Sequence, residues 1–317
     1  MNAARVAVAP DGLRPWIADA IRAGGGTVAD ATQMNEADAL VWADPVNVNE
    51  LEELLRGDAH GVRWVQLPYA GVEPFSDVIA HNNTRTWTCA KGVYADPVAE
   101  HALTLLLAGL RGLGEYGRAA TWLPPQGTNL ISGSEPAKVV IVGGGGITES
   151  LLRLLEPFGA DVTVVRRHAD IDRGMPGAAR VVDVSELDNA LEGAVGVVLA
   201  LALTPETEGI IGRVQLQRMS NRGWIVNVAR GRHIVTEDLV EALQAGEIGG
   251  AALDVTDPEP LPDGHPLWSL PNCIITPHVG NTPEMAVPLL AARVTENVRR
   301  WGAGEPLLGL VDPTLGY

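Results

Sequence analysis

The run Val139-Val-Ile-Val-Gly143-Gly-Gly-Gly146-Ile147-Thr148 constrains this chain more than any other stretch. Four β-branched residues closed by glycines read as a buried strand, and Glu149 to Pro157 reads as the helix that follows. Strand, glycine turn and helix start, in that order, form an anion cradle. Glycines let the backbone approach a phosphate closely, and the first turn of the helix offers unpaired N–H groups at the positive end of its dipole. Gly143, Gly145, Gly146 and Ile147 are therefore candidates to contact a dinucleotide pyrophosphate. In the G-x-G-x-x-G fingerprint the third place is Thr148, whose hydroxyl could be offered to phosphate but whose bulk intrudes where helix and strand pack.

Around this turn, strands and helices alternate. Strands are expected at 5–9, 39–42, 62–67 and 86–90, then at 139–142, 161–165, 195–201, 224–227, 250–254 and 273–276. Helices are expected at 11–23, 49–55, 98–110, 148–157, 185–191, 207–217, 236–246 and 283–301. This alternation predicts two α/β blocks with parallel sheets, the second doubly wound around the glycine turn. Gly24-Gly25-Gly26 follows a helix and precedes a strand, the wrong order for a phosphate loop. Asp96-Pro97 reads as an N-cap and first turn for the apolar helix after it. The Gly- and Pro-rich stretch from Gly112 to about Pro136 reads as a loop or arm, a candidate subunit contact.

With 317 residues the chain suits two domains. A net charge of −16 argues against nucleic acid or an anionic membrane as the main partner, since both require basic patches. No apolar run approaches the ~18 residues of a membrane span, and the N-terminus has no signal-peptide core, so a cytoplasmic location is expected. Cys89 and Cys273 fit no disulfide framework or metal-ligand spacing, and no metal is expected.

Twenty-three positions after Gly143, where an acidic residue would bind the ribose 2′-hydroxyl of NAD, stands Arg166, followed by Arg167. A guanidinium suits a 2′-phosphate, which points to NADP ahead of NAD. A solvated pair at a strand end is the alternative. Arg230, Glu259 and His278 lie just after predicted strands, where a doubly wound sheet places its ligand crevice. The arginine can grip a carboxylate and the histidine can move a proton. The carboxylate can orient that histidine and favour its protonated form. Taken singly, each could instead be structural or simply exposed.

These residues, in one order and register, resemble the D-isomer-specific 2-hydroxyacid dehydrogenases. The shared motifs are Val98-Ala-Glu-His-Ala102, the glycine turn, Leu203-Thr-Pro-Glu-Thr207 and Val226-Asn-Val-Ala-Arg-Gly231. They continue through Gly250-Ala-Ala-Leu-Asp-Val255, Glu259-Pro-Leu-Pro262, His265-Pro-Leu-Trp268 and Thr276-Pro-His278. The resemblance implies two doubly wound, Rossmann-like α/β domains. A flavodoxin-like substrate-binding (catalytic) domain would comprise residues 1–97 and 285–317, and an NAD(P)-binding domain residues 98–284. Catalysis would rest on Arg230, Glu259 and His278, with hydride passing between the nicotinamide and C2 of a small 2-hydroxy or 2-keto acid.

Further roles follow from the resemblance alone. Ala70 and Gly71 would meet the substrate carboxylate with Arg230, Ala202 and Ala229 would lie along the ribose and nicotinamide, and Asp254 would contact the carboxamide. A homodimer and a cleft that closes through hinges near 96–98 and 282–286 are also implied. Ala202 replaces a common proline, which would loosen its loop. The expected activity is NADPH-dependent reduction of a glyoxylate- or hydroxypyruvate-like acid. Phosphoglycerate oxidation is the rival within the class, and a dinucleotide-sensing corepressor the rival outside it.

Overall fold

The computed structural model describes residues 3–29, 31–57, 59–124, 131–132, 135–167, 169, 175 and 179–312. The chain divides into two compact units, Met1–Tyr94 with Thr282–Tyr317, and Ala95–Asn281.

Among the described residues the first unit has five strands, β1 (Arg5–Ala9), β2 (Thr27–Ala29), β3 (Ala39–Trp42), β4 (Trp64–Gln66) and β5 (Thr86–Thr88). They pair in parallel in the order β2-β1-β3-β4-β5, the flavodoxin-like arrangement. Val6, Leu40, Trp64 and Val65 are fully buried, as strands covered on both faces require. The three-residue β2 was not separately anticipated. Helix α1 (Trp16–Ala23) starts later than residue 11 because the prolines at 10 and 15 bring no N–H and the chain enters the helix through Pro15. Helix α2 (Val48–Arg56) is capped by the Asn47 side chain, which accepts from Glu50 N–H at 3.3 Å. Helix α3 (Ser76–His81) had no counterpart in the sequence analysis.

The triple glycine has a packing role. A Cβ on Gly24 would stand 2.5 Å from Thr295 O, and one on Gly26 would stand 2.8 Å from Val298 Cγ1. The bare backbone lets the C-terminal helix, Pro283–Ala303, lie against α1, and Thr295 Oγ1 donates to Ala20 O at 3.1 Å. Asn297 of that helix is fully buried. Its amide donates to Gln66 Oε1 and to Leu308 O, both at 3.0 Å, and its oxygen accepts from Leu308 N–H at 2.8 Å.

The second unit carries β6 (Lys138–Val142), β7 (Asp161–Arg166), β8 (Arg180–Asp183), β9 (Gly196–Leu199), β10 (Trp224–Asn227), β11 (Gly250–Leu253) and β12 (Cys273–Ile275). Among the described residues these form one seven-stranded parallel sheet ordered β12-β11-β10-β9-β6-β7-β8. The strand order reverses between β6 and β9, and a ligand crevice is expected outside the carboxyl ends there. Edge strand β8 is the one that periodicity missed.

Its helices are α4 (Ala95–Leu110), α5 (Leu113–Arg118), α6 (Gly146–Leu155), α7 (Leu187–Leu191), α8 (Arg213–Arg218), α9 (Thr236–Ala245) and α10 (Pro266–Ser269). Helix α4 packs on α6 through a shared core containing Ala99, Ala102, Leu106, Leu151 and Leu155. Asp96 is not an N-cap. The helix begins at Ala95, and the Asp96 carboxylate accepts from Ser150 Oγ at 2.5 Å and from the Arg153 guanidinium at 3.1 Å. The helix expected over 207–217 is shortened to α8 because Gly209 takes a left-handed φ of 62°. Part of the arm expected before residue 136 lies outside the described residues. No helix among the described residues is long and apolar enough to cross a membrane.

Candidate active site

Strand β6 delivers the chain to Gly143, whose φ of 123° belongs to glycine. A Cβ there would stand 2.1 Å from Ala200 O, so the neighbouring strand end closes directly on the turn. Gly145 is the N-cap of α6 with no side-chain cap, and a Cβ on it would meet nothing within 4 Å. Gly146 and Ile147 form the first turn. Open space over Gly145 and an uncapped ten-residue helix fit a pyrophosphate.

Thr148 does not offer itself to that phosphate. It is fully buried, and its hydroxyl donates to Gly143 O at 3.0 Å. The threonine staples the first turn of α6 back onto the glycine turn.

Arg166 ends β7 and is 9% exposed. Its Cδ would lie 2.6 Å from a Cβ on Gly144, so its stem runs across the glycine turn. Arg167 is exposed, and its charge helps hold the Glu206 carboxyl below the usual range, after hydrogen bonds from the Thr204 side chain and the Glu206 backbone. The β7 end thus faces the loop after β9. That loop is tied, not loosened, where Ala202 replaces proline. Thr207 Oγ1 donates to Ala202 O at 2.8 Å and accepts from Thr204 N–H at 2.8 Å. Fully buried His233 sets its ring nitrogens 2.9 Å from Thr207 O and 3.3 Å from Leu201 O.

Three further strand ends carry the polar triplet. After β10, buried Asn227 accepts from Ala229 N–H at 3.0 Å and donates to Arg230 O at 2.8 Å, folding the backbone around buried Ala229 and half-buried Arg230. After β11, Glu259 follows Asp254. After β12, His278 sets Nδ1 2.7 Å from Glu259 Oε1. Both side chains remain substantially exposed, at 54% and 41%.

His278 has a left-handed φ of 54°, uncommon for a residue with a Cβ. Its N–H donates to Asp254 O at 2.8 Å and to Thr276 O at 2.9 Å. The Asp254 carboxylate accepts from Thr276 Oγ1 at 2.6 Å and from the Val279 and Gly280 N–H groups, each at 2.9 Å. His101 Nε2 of α4 lies 3.2 Å from it. Burial pushes the Asp254 carboxyl up, but the hydrogen bonds from His101, Thr276, Val279 and Gly280 outweigh it and bring the pKa down to about 2.

Ala70 and Gly71 belong to the first unit, at the carboxyl end of β4. Among the described residues no acceptor takes either N–H. Tyr94 anchors this loop by donating to Pro68 O at 3.0 Å, and the Arg14 guanidinium lies 5.9 Å from the centroid of the Tyr69 ring.

The structure therefore joins Glu259 to His278 and places Arg230 on the adjoining strand end. Asn227, Thr207, His233, Thr276 and His101 support these loops, and none of them stands out as a site residue in the sequence. His101 alone carried a signal, as an imidazole within a nearly all-apolar helix.

The family profile described as the D-isomer specific 2-hydroxyacid dehydrogenase NAD-binding domain matches residues 103–280. An uncharacterized protein of Corynebacterium melassecola is 38% identical over 81% of this chain and 84% of its own. A glyoxylate/hydroxypyruvate reductase A of Klebsiella pneumoniae is 32% identical over 69% of this chain and 68% of its own. Among solved structures, an NADPH-dependent glyoxylate/hydroxypyruvate reductase from Sinorhizobium meliloti, in complex with NADP and sulfate, superposes with a TM-score of 0.78. It is 26% identical and covers 99% of this chain and 100% of its own.

Proposed function

This chain belongs to the D-isomer specific 2-hydroxyacid dehydrogenases, NAD(P)-dependent oxidoreductases, and on that premise we propose that it reduces a small 2-keto acid such as glyoxylate or hydroxypyruvate with NADPH. The observation that carries the chemistry is the 2.7 Å contact between His278 Nδ1 and Glu259 Oε1 beside the Arg230 loop.

With Nδ1 engaged by Glu259, Nε2 is the atom of His278 left to give a proton to the substrate oxygen. Arg230 holds the substrate carboxylate and carbonyl oxygen, and its charge stabilises the oxyanion that forms as C2 is reduced. The proton from His278 then completes the hydroxyl. NADPH supplies the hydride to C2 when bound. Asp254 would receive the carboxamide, Ala202 and Ala229 would border the ribose and nicotinamide, and the N–H groups of Ala70 and Gly71 would meet the carboxylate. Gly143, Gly145, Gly146 and Ile147 would hold the pyrophosphate.

The preference for NADPH rests on Arg166 and Arg167 standing where an acidic residue would favour NAD. The Sinorhizobium enzyme, named for NADPH, lends support. We also take the protein to be a homodimer, as the family resemblance implies, and to be cytoplasmic, as expected from its sequence; light scattering and fractionation measure the two. The deciding experiment is steady-state kinetics with glyoxylate, hydroxypyruvate and phosphohydroxypyruvate against NADPH and NADH. Higher kcat/KM with NADPH and an unphosphorylated acid is expected. A clear NADH preference would overturn the cofactor assignment, and turnover of none of the three acids would overturn the substrate assignment.

A further inference from the structure

Helix α4 is apolar along most of its length, with Ala99, Ala102, Leu105 and Leu106 buried. In its middle stands His101, whose side chain is only 19% exposed. A polar ring in such a place is unfavourable unless it is hydrogen-bonded. Its Nε2 lies 3.0 Å from Thr276 Oγ1 and 3.2 Å from Asp254 Oδ1. The direction of these contacts follows from proton counting. The single hydroxyl proton of Thr276 is committed to Asp254 at 2.6 Å. Thr276 Oγ1 can then only accept from His101, so Nε2 carries a proton and donates, with Asp254 Oδ1 sharing the same N–H.

Asp254 organises nearly every residue of the next segment. Its carboxylate takes Thr276 O–H, Val279 N–H and Gly280 N–H, and its carbonyl takes His278 N–H. Between those partners sits His278 in its left-handed conformation. A residue held in that region persists only where its surroundings over-determine it. His101 is the donor that reaches this node from a different element, α4.

We propose that His101 is a positioning residue, whose Nε2–H fixes Asp254 and Thr276 and so holds residues 276–280 in the path that presents His278 to Glu259. This rests on the proton-donor role given to His278 above. Without that donor, one acceptor site on Asp254 and one on Thr276 lose their partner. The segment then gains freedom, and the 2.7 Å histidine–glutamate contact is occupied for less of the time.

Two variants separate donor from bulk. His101→Phe keeps an aromatic ring and removes the N–H, whereas His101→Gln places an amide N–H at a similar reach. Amide hydrogen exchange of the cofactor-free protein gives a readout independent of turnover. Exchange at residues 278–280 should quicken about tenfold or more in His101→Phe and stay within about threefold of wild type in His101→Gln. With hydroxypyruvate and NADPH, His101→Phe should lower kcat by about 10- to 100-fold with little change in KM, and His101→Gln should recover most of it.

Unchanged exchange in His101→Phe, equal losses in both variants, or an effect confined to KM would each overturn the proposal. Should His101→Phe fail to fold, His101→Leu removes the same N–H in an apolar side chain and is held to the same exchange criterion. If wild type turns over no keto acid, the substrate assignment fails while the exchange comparison still decides the role of His101.

Discussion

Replacing Asp254 by asparagine changes the stability of the second unit in a way that depends on pH, and the dependence can be worked from its surroundings. The side chain is 4% exposed, and its donors hold its pKa at about 2 against an ordinary value of 3.8. A carboxyl with a depressed folded-state pKa contributes stability that is fully present above the unfolded value. That stability is lost as pH falls through the folded value. At 1.36 kcal/mol per unit the gap corresponds to about 2 kcal/mol at neutral pH, roughly half of that at pH 3, and nothing well below pH 2. Asparagine has no charge to titrate, and it turns an N–H towards donors such as Gly280 N–H.

The difference in unfolding free energy between wild type and Asp254→Asn should therefore be level from pH 7 to about 4.5, then shrink towards pH 3. Urea titrations at each pH, followed by hydrogen-exchange mass spectrometry on second-unit peptides, measure it. Taking the difference between two proteins cancels the other titrating carboxylates. A gap that stays constant down to pH 3, or widens, would refute the account of Asp254 as a carboxylate stabilised by its donors.

Other outcomes are open to direct measurement. His278→Ala should lower kcat by about 10²–10⁴-fold while leaving the melting temperature nearly unchanged, because the side chain is half exposed. Arg167→Ala should raise KM for NADPH by roughly tenfold or more and spare KM for NADH, as loss of one charge-assisted hydrogen bond to a 2′-phosphate requires. Equal changes with both cofactors would remove Arg167 from cofactor discrimination. Asn297→Ala should destabilise the first unit by roughly 2–3 kcal/mol in denaturant titrations, since it strands the N–H and C=O of Leu308.

What the sequence made legible is what depends on local pattern. Strand–glycine–helix order located the Gly143–Gly146 turn, and the ends of β10 and β12 located Arg230 and His278. The sheets follow the doubly wound order that alternation implies. What stayed hidden depends on residues far apart in the chain. Nothing next to Thr148 says that its hydroxyl finds Gly143 O, and nothing beside Gly24 announces Thr295. Strands β2 and β8 escaped because short edge strands with polar residues carry little periodicity. His101 lies within Val98-Ala-Glu-His-Ala102, but its partners Asp254 and Thr276 come from strand ends far from α4 in the chain.

The C-terminal helix bears on the order of events during synthesis. Its Leu290, Val294 and Val298 share one core with Ile21 of α1 and with Val6, Val41 and Trp64 of the N-terminal sheet. The ribosome must therefore translate the entire second unit before that helix can reach the sheet it covers. The second unit can fold as it emerges, whereas the first waits with an apolar face uncovered. A nascent chain stalled before Thr282 should thus hold a folded second unit beside an unfinished first one, which is the interval in which a chaperone would find a surface to bind.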